Sequence, residues 1–303
     1  MAAAAGVRLL GAGAMGRRHA RALDARADAR LAGVVDTNAA RAAALAAPSG
    51  ALAARDASEL FARSDAVIVA TPPGSHPRVA GGALAAGKAV LVEKPVALTA
   101  RLARELIELA ERCDAIVRVG HSERFCPALS VASARLERAQ EVRTQRYARS
   151  RAANSASNPV FDLMIHDIDF MLRHVREEVV EIRASWLEEP GVDRGVLAQV
   201  CFRDGRRVEL RAGYVEHAVR RRIVARDDRE EIEVDGLART VVRRIARDSE
   251  TMFEPRDEHE TDVLRREHDD FLWAIAGRSP RRDGVEDAVR AVECAERITR
   301  LLS

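Results

Sequence analysis

The 303-residue chain predicts an α/β protein in two parts: a doubly wound parallel sheet over residues 1–121, then an α+β domain over 122–303 built on a large, open, mostly antiparallel sheet. Three observations carry this. Short β-branched runs alternate with helix-length Ala/Leu/Arg segments as far as His121, a glycine-rich turn follows the first run, and beyond His121 extended segments crowd together.

In order, the apolar runs Val7–Leu10, Leu31–Val35, Ala66–Ala70, Ala89–Val92 and Ile116–Val119 predict strands, with a weaker one near Ala51–Ala54. Val7–Leu10 is short, so its start is expected to recruit Ala4 and Ala5. Helical segments at 14–28, 38–47, 76–86 and 99–112 separate the runs, with Thr99 as an N-cap. Helices between strands require crossovers and hence parallel pairing. In the second part, a helix near 126–138 and a strand near 141–149 lead through a small-residue loop, Ala152–Pro159, to an apolar helix, Phe161–His174. Extended segments follow near 178–189, 195–203, 206–216, 219–226, 229–234 and 237–245, with Asp204-Gly205 and Asp235-Gly236 as hairpin turns. Helices near 257–277 and 284–302 close the chain, the last a candidate to pack back on the first domain.

Composition narrows the function classes. A net charge of +2 gives no field that recruits nucleic acid or a membrane, and 4% aromatic content disfavours base stacking. No apolar stretch reaches the roughly 18–20 residues of a membrane span, and a cytoplasmic protein is expected. The four cysteines stand far apart with no histidine at ligand spacing, so neither a disulfide framework nor a metal site is expected. Of the 49 basic residues only Lys88 and Lys94 are lysines. A lysine kept in an arginine-rich chain points to a task for a compact ammonium.

Gly11-Ala-Gly13-Ala14-Met15-Gly16 fits G-x-G-x-x-G between a strand and a helix, and Asp36 follows 20 residues later at the end of the second strand. Gly11 permits the tight turn, Gly13 lets the backbone approach a pyrophosphate, and Gly16 lets helix and strand pack closely. The helix N-terminus turns free N–H groups toward the phosphates. Asp36 would accept from the adenosine ribose and repel a 2′-phosphate, which favours NAD; Arg41 keeps NADP as the less favoured cofactor. The short strand feeding this loop predicts weaker cofactor affinity than the motif alone.

On GAGAMGRRH at 11–19, Asp36, TPPGSH at 71–76, EKP at 93–95, GHSERFCP at 120–127, DLMIHDID at 162–169 and GVEDAVRAVE at 284–293, the chain resembles the Gfo/Idh/MocA family of oxidoreductases, over nearly its whole length. The resemblance implies a Rossmann cofactor domain, with Thr71, Pro72, His76, Glu93 and Lys94 at the cofactor alongside the glycine loop. It also implies that Lys94 points at the reacting hydroxyl and that its bond to Pro95 is cis.

Asp162, His166 and Asp169, at i, i+4 and i+7, fall within roughly 60° on a helix and form a polar stripe on an otherwise apolar segment. His166 is the expected general base, Asp162 orients it, and Lys94 stabilises the developing alkoxide. Asp169, Arg124 and Arg149 are candidates for substrate binding, with Arg143, Arg146 and Arg151 as further cations near the cleft. Asp167, off the stripe, is expected in a salt bridge or at the surface. Family members of this subtype read Glu-Arg-Phe-Asn-Pro where this chain has Cys126, expected here as a small packed residue.

The motif wording is most similar to enzymes oxidising the 3-hydroxyl of UDP-N-acetylglucosamine. Polyol, inositol or aldose dehydrogenases and a non-catalytic NAD-binding regulator are the alternatives. A homo-oligomer is expected on the argument that a large open sheet seldom leaves a broad apolar face in water.

Overall fold

The computed structural model of the chain describes residues 4–56, 64–150, 158–217, 219–246, 248–255 and 262–303. The chain divides into two compact units, one of residues 1–121 and 264–289, the other of 122–263 and 290–303. Residues 264–289, assigned from the sequence to the second domain, thus belong to the first unit.

The first unit runs β1 (Ala5–Leu10), α1 (Ala14–Asp24), β2 (Ala29–Val35), α2 (Ala39–Ala46), β3 (Leu52–Ala54), β4 (Ala66–Val69), α3 (His76–Ala85), β5 (Ala89–Glu93), α4 (Ala100–Arg112) and β6 (Val117–Gly120). Its six strands are parallel in the order β3-β2-β1-β4-β5-β6. Chain direction across the sheet reverses between β1 and β4, which opens a crevice at the carboxyl ends of the strands where dinucleotides bind. β1 has six residues, because pairing with β2 begins at Ala5. The premise of a short strand therefore falls. One face of the sheet buries Val7, Leu9, Leu31, Ile68 and Leu91 against Ala20 and Leu23 of α1, Ala42 of α2, and Phe271 and Leu272 of the helix Val263–Ile275. Thr99 caps α4 as expected, its Oγ1 accepting from the Leu102 N–H at 3.3 Å.

The second unit carries α5 (Pro127–Leu136), β7 (Glu141–Arg149), a π-helical turn Val160–Met164 running into α6 (Ile165–His174), and β8 (Val179–Trp186). There follow β9 (Val192–Phe202), β10 (Arg207–Val215), β11 (Arg220–Arg226), β12 (Glu231–Asp235), β13 (Thr240–Ile245) and β14 (Asp248–Phe253). The sheet order is β14-β13-β12-β11-β7-β10-β9-β8, antiparallel throughout except between β7 and β10. Gly205 makes its hairpin with φ +90°. At Asp235-Gly236 the turn is longer than expected: Asp235 Oδ1 accepts from the N–H groups of Leu237 and Ala238, and the left-handed residue is Arg239 at φ 59°. Residues 152–157 of the expected small-residue loop, and 257–261 of the expected helix, lie outside the described residues.

The face of this sheet away from the helices is charged, not apolar. Alternation along the strands puts Arg143, Arg183, Glu209, Arg211, Arg222, Glu233 and Arg244 on it. They form cross-strand and along-strand pairs, including Arg222–Glu233 at 2.5 Å and Arg244–Glu233 at 2.7 Å. The expectation of a broad apolar face is overturned: arginine and glutamate stems cover the pleat while their charges pair in water.

Candidate active site

In the first unit, Gly11 turns the chain at φ +105°, and a Cβ there would lie 2.4 Å from the carbonyl oxygen of Ala70. A Cβ on Gly16 would meet the Gly11 carbonyl oxygen at 1.9 Å, so α1 reaches the sheet this closely only with glycine. A Cβ at Gly13 would have nothing within 4 Å, so the N-terminal turn of α1, with Ala14 and Met15, faces open space. This is the cradle a pyrophosphate requires. Asp36 stands beside it: Oδ2 accepts from the Ala12 N–H at 2.9 Å, and Oδ1 from the Asn38 N–H and from Arg41 Nη2 at 2.9 Å. Those bonds hold the carboxyl below the usual carboxylate range despite burial. Arg41 thus serves Asp36. The residues present fit NAD.

The carboxyl end of β5 carries Glu93, Lys94 and Pro95, and the Lys94–Pro95 bond is cis. Glu93 is buried and turned inward, where Oε1 accepts from His19 Nε2–H at 2.8 Å. One of its carboxylate oxygens is thus engaged within the first unit. Burial raises its carboxyl, but the His19 hydrogen bond and the charges of His19, Lys94 and His76 outweigh that and hold it low. His19 Nδ1 lies 2.9 Å from Nε2 of His268, whose own ionisation burial pushes down to about 3. His19, Glu93 and Glu267 bring metal-ligating atoms within 4.8 Å of one another. Since both ring nitrogens of His19 already make hydrogen bonds, the cluster reads as a buried polar network. His76 is also buried, with its ring nitrogens on the carbonyls of Thr71 and Pro95. Pro72 is exposed.

In the second unit, the polar stripe is real but its members do different things. Asp162 lies in the π-helical turn and accepts from the Tyr214 hydroxyl at 2.6 Å. His166 is half-buried in the first turn of α6. Asp169 is 1% exposed, and both of its oxygens are taken by Arg124, Nε at 2.8 Å and Nη2 closer still. It therefore anchors Arg124. Asp167 is 2% exposed, which removes the surface alternative and leaves the salt bridge. Arg146 donates to Asp167 and Glu123 together, so it is committed to two buried carboxylates and is not a substrate cation. Burial acts against the charge of Glu123, yet Arg146, then His166, hold its carboxyl well below the usual range. Asp167 is raised by burial first, and by the negative charge of Glu123 beside it, against the pull of Arg146. Arg149 is exposed and falls on the open face of β7, opposite Arg146, so the structure does not bring it to the stripe. Arg143 shares that open face, and Arg151 lies outside the described residues. Cys126 is buried at the N-cap of α5 with no side-chain hydrogen bond.

Sequence reasoning missed His19, Tyr214, His268 and Glu123. For His19 a signal existed, since Gly16, His19, Ala20 and Leu23 form one buried face of α1 at helical spacing. The other three depend on partners distant in sequence.

Comparison with known proteins agrees with this geometry. Residues 6–121 match the family described as oxidoreductase family, NAD-binding Rossmann fold. The UDP-N-acetylglucosamine 3-dehydrogenase of Acidithiobacillus ferrooxidans is 32% identical over 281 residues, 90% of this chain and 89% of the relative. A solved structure of that enzyme covers 99% of this chain and 98% of its own, with a TM-score of 0.89 at 30% identity. An inositol 2-dehydrogenase of Rhizobium meliloti is 32% identical over 58% of this chain and 57% of its own. A Rossmann sheet with its glycine cradle and acidic partner, a Glu-Lys-Pro turn, and a full-length relative at this identity lead to one conclusion: the chain belongs to the Gfo/Idh/MocA family of NAD-binding oxidoreductases.

Proposed function

We propose that the protein is an NAD-dependent dehydrogenase of a secondary hydroxyl on a sugar or nucleotide sugar, with the 3-hydroxyl of UDP-N-acetylglucosamine as first candidate. The observation that carries this reading is the Asp162–His166 stripe with its Tyr214 contact, on a segment that is otherwise apolar. A buried helix carries such groups only where they are partnered or meet a ligand. His166 takes the hydroxyl proton. Asp162, fixed by Tyr214, and Glu123, held as an anion by Arg146, both favour the imidazolium that results. Lys94 donates to the oxygen as negative charge builds on it, and Arg124, aligned by Asp169, is the remaining substrate cation. NAD, when bound in the glycine cradle, supplies the hydride acceptor. The candidate substrate follows from the name of the full-length relative, and inositol is the second choice by the same logic.

The test is NADH formation with UDP-N-acetylglucosamine, free N-acetylglucosamine, myo-inositol and glucose. Tight NAD binding with no turnover of any sugar would sink the reading in favour of a regulator. His166→Ala is expected to lower kcat by about 10²–10⁴, the usual worth of a positioned acid–base group. Turnover within tenfold of the parent would remove His166 as base. The same proposal includes a cytoplasmic homo-oligomer. If the charged sheet face is its interface, sedimentation should show association weakening as salt screens the pairs.

A further inference from the structure

The two loops expected at the cofactor are joined by a single buried side chain. His76, 1% exposed at the start of α3, places Nδ1 2.8 Å from the carbonyl oxygen of Pro95 and Nε2 2.7 Å from that of Thr71. Both partners are backbone carbonyls, which accept hydrogen bonds and never donate them. A neutral imidazole carries one N–H, so in either tautomer a nitrogen lone pair would point at a carbonyl oxygen at hydrogen-bond distance. Only a ring with hydrogens on both nitrogens satisfies both contacts.

We propose that His76 is a positioning residue that stands with both ring nitrogens protonated, and that its two N–H groups clasp the loop after β4 to the turn carrying Lys94. The Thr71 end is itself stiffened, because Ser75 Oγ donates to Thr71 Oγ1 at 2.8 Å and to the Pro72 carbonyl at 2.7 Å. The fold supplies the counter-charge that a buried cation needs. The Glu93 carboxyl interacts electrostatically with both His76 and Lys94. The helix that His76 opens packs against β4 and α4, whose buried residues are apolar. His19 grips the side chain of Glu93 while His76 grips the carbonyl of Pro95, so the Glu-Lys-Pro turn is held from both ends.

The proposal rests on the role assigned to Lys94, and its tests are chosen to stand apart from turnover. Long-range ¹H–¹⁵N NMR of the full-length protein with labelled histidine, near neutral pH, should show hydrogens on both nitrogens of one buried ring. That ring is identified by its loss in His76→Gln. A single-tautomer ring at this position overturns the proposal. Gln has one nitrogen and one oxygen to offer, so it can serve one carbonyl but faces the other with its own oxygen. NAD affinity, measured by calorimetry, should fall about tenfold or more in His76→Gln, the worth of one charge-assisted hydrogen bond. A smaller active fraction would leave that affinity unchanged, and an unchanged affinity in folded variant overturns the clasp. If the variant does not fold, assignment of the ring through the His76 Cβ protons in the wild-type spectrum identifies it, and the number of its nitrogen-bound hydrogens decides. Absence of turnover with every sugar would defeat the dehydrogenase reading and leave both of these measurements valid.

Discussion

Cys126 shows how one side chain is read through its backbone position. It is the N-cap of α5, with extended φ −73° and ψ 120°, Pro127 at the first helical position and no side-chain oxygen to accept from the free N–H groups. The asparagine of family members would supply that acceptor, so the departure removes a helix cap. Cys126→Asn is expected to stabilise the protein by about 0.5–1 kcal/mol in urea unfolding, with kcat unchanged. Destabilisation would mean that the buried amide finds no partner. The neighbouring acids show where sequence reading stops. Spacing placed Asp162, His166 and Asp169 on one face, and that was legible because helical period is local. Which carboxylate is spent on a structural partner was not legible, since Arg124 and Arg146 arrive from 45 and 21 residues away.

Elements of the first sheet were legible because each strand is a dense apolar run, whereas β14 was not: Asp248-Ser-Glu-Thr-Met-Phe has no apolar alternation and is a strand only by pairing with β13. The helices conceal a similar long-range feature. α1, β5 and the helix Val263–Ile275 each contribute one member to the row Glu93–His19–His268. His268 is 1% exposed, and burial pushes its ionisation down to about 3. Unfolding frees it to bind a proton near pH 6.5, whereas the folded protein refuses that proton until about pH 3. Its contribution to stability is therefore complete above about pH 6.5 and lost as pH falls toward 3, at up to roughly 1.4 kcal/mol per pH unit. His174, lowered by burial, adds to the same slope. The expected outcome is a urea midpoint that drops between about pH 6.5 and 5, before the carboxylates of the unfolded chain titrate. In His268→Gln that slope should shrink; an unaltered slope would assign the proton to another group.

Across the whole molecule, the cofactor domain cannot be cut where the motifs end. The sequence suggests a fragment of residues 1–121, yet the compact unit also needs 264–289. Phe271 at 1% exposure and Leu272 at 9% close the core beneath β1, β4 and β5. Arg118 on β6 is 4% exposed, and its guanidinium donates to Asp270, Ser279, Pro280 and Arg281. The Val117 N–H donates to the Arg281 carbonyl at 2.9 Å along the outer edge of β6. A fragment ending at His121 would open an apolar trough and strand a buried guanidinium with four partners missing. Losing a buried Phe and a buried Leu costs about 3–5 and 2–5 kcal/mol, against a total stability of roughly 5–15 kcal/mol. Residues 1–121 alone should lack a cooperative thermal transition and fail to bind NAD by calorimetry. Joining 264–289 through a flexible linker should restore both, although the glycine cradle and Asp36 are identical in the two fragments. A cooperative, NAD-binding 1–121 would show instead that the six-stranded sheet is self-sufficient and that the returning helix only covers it.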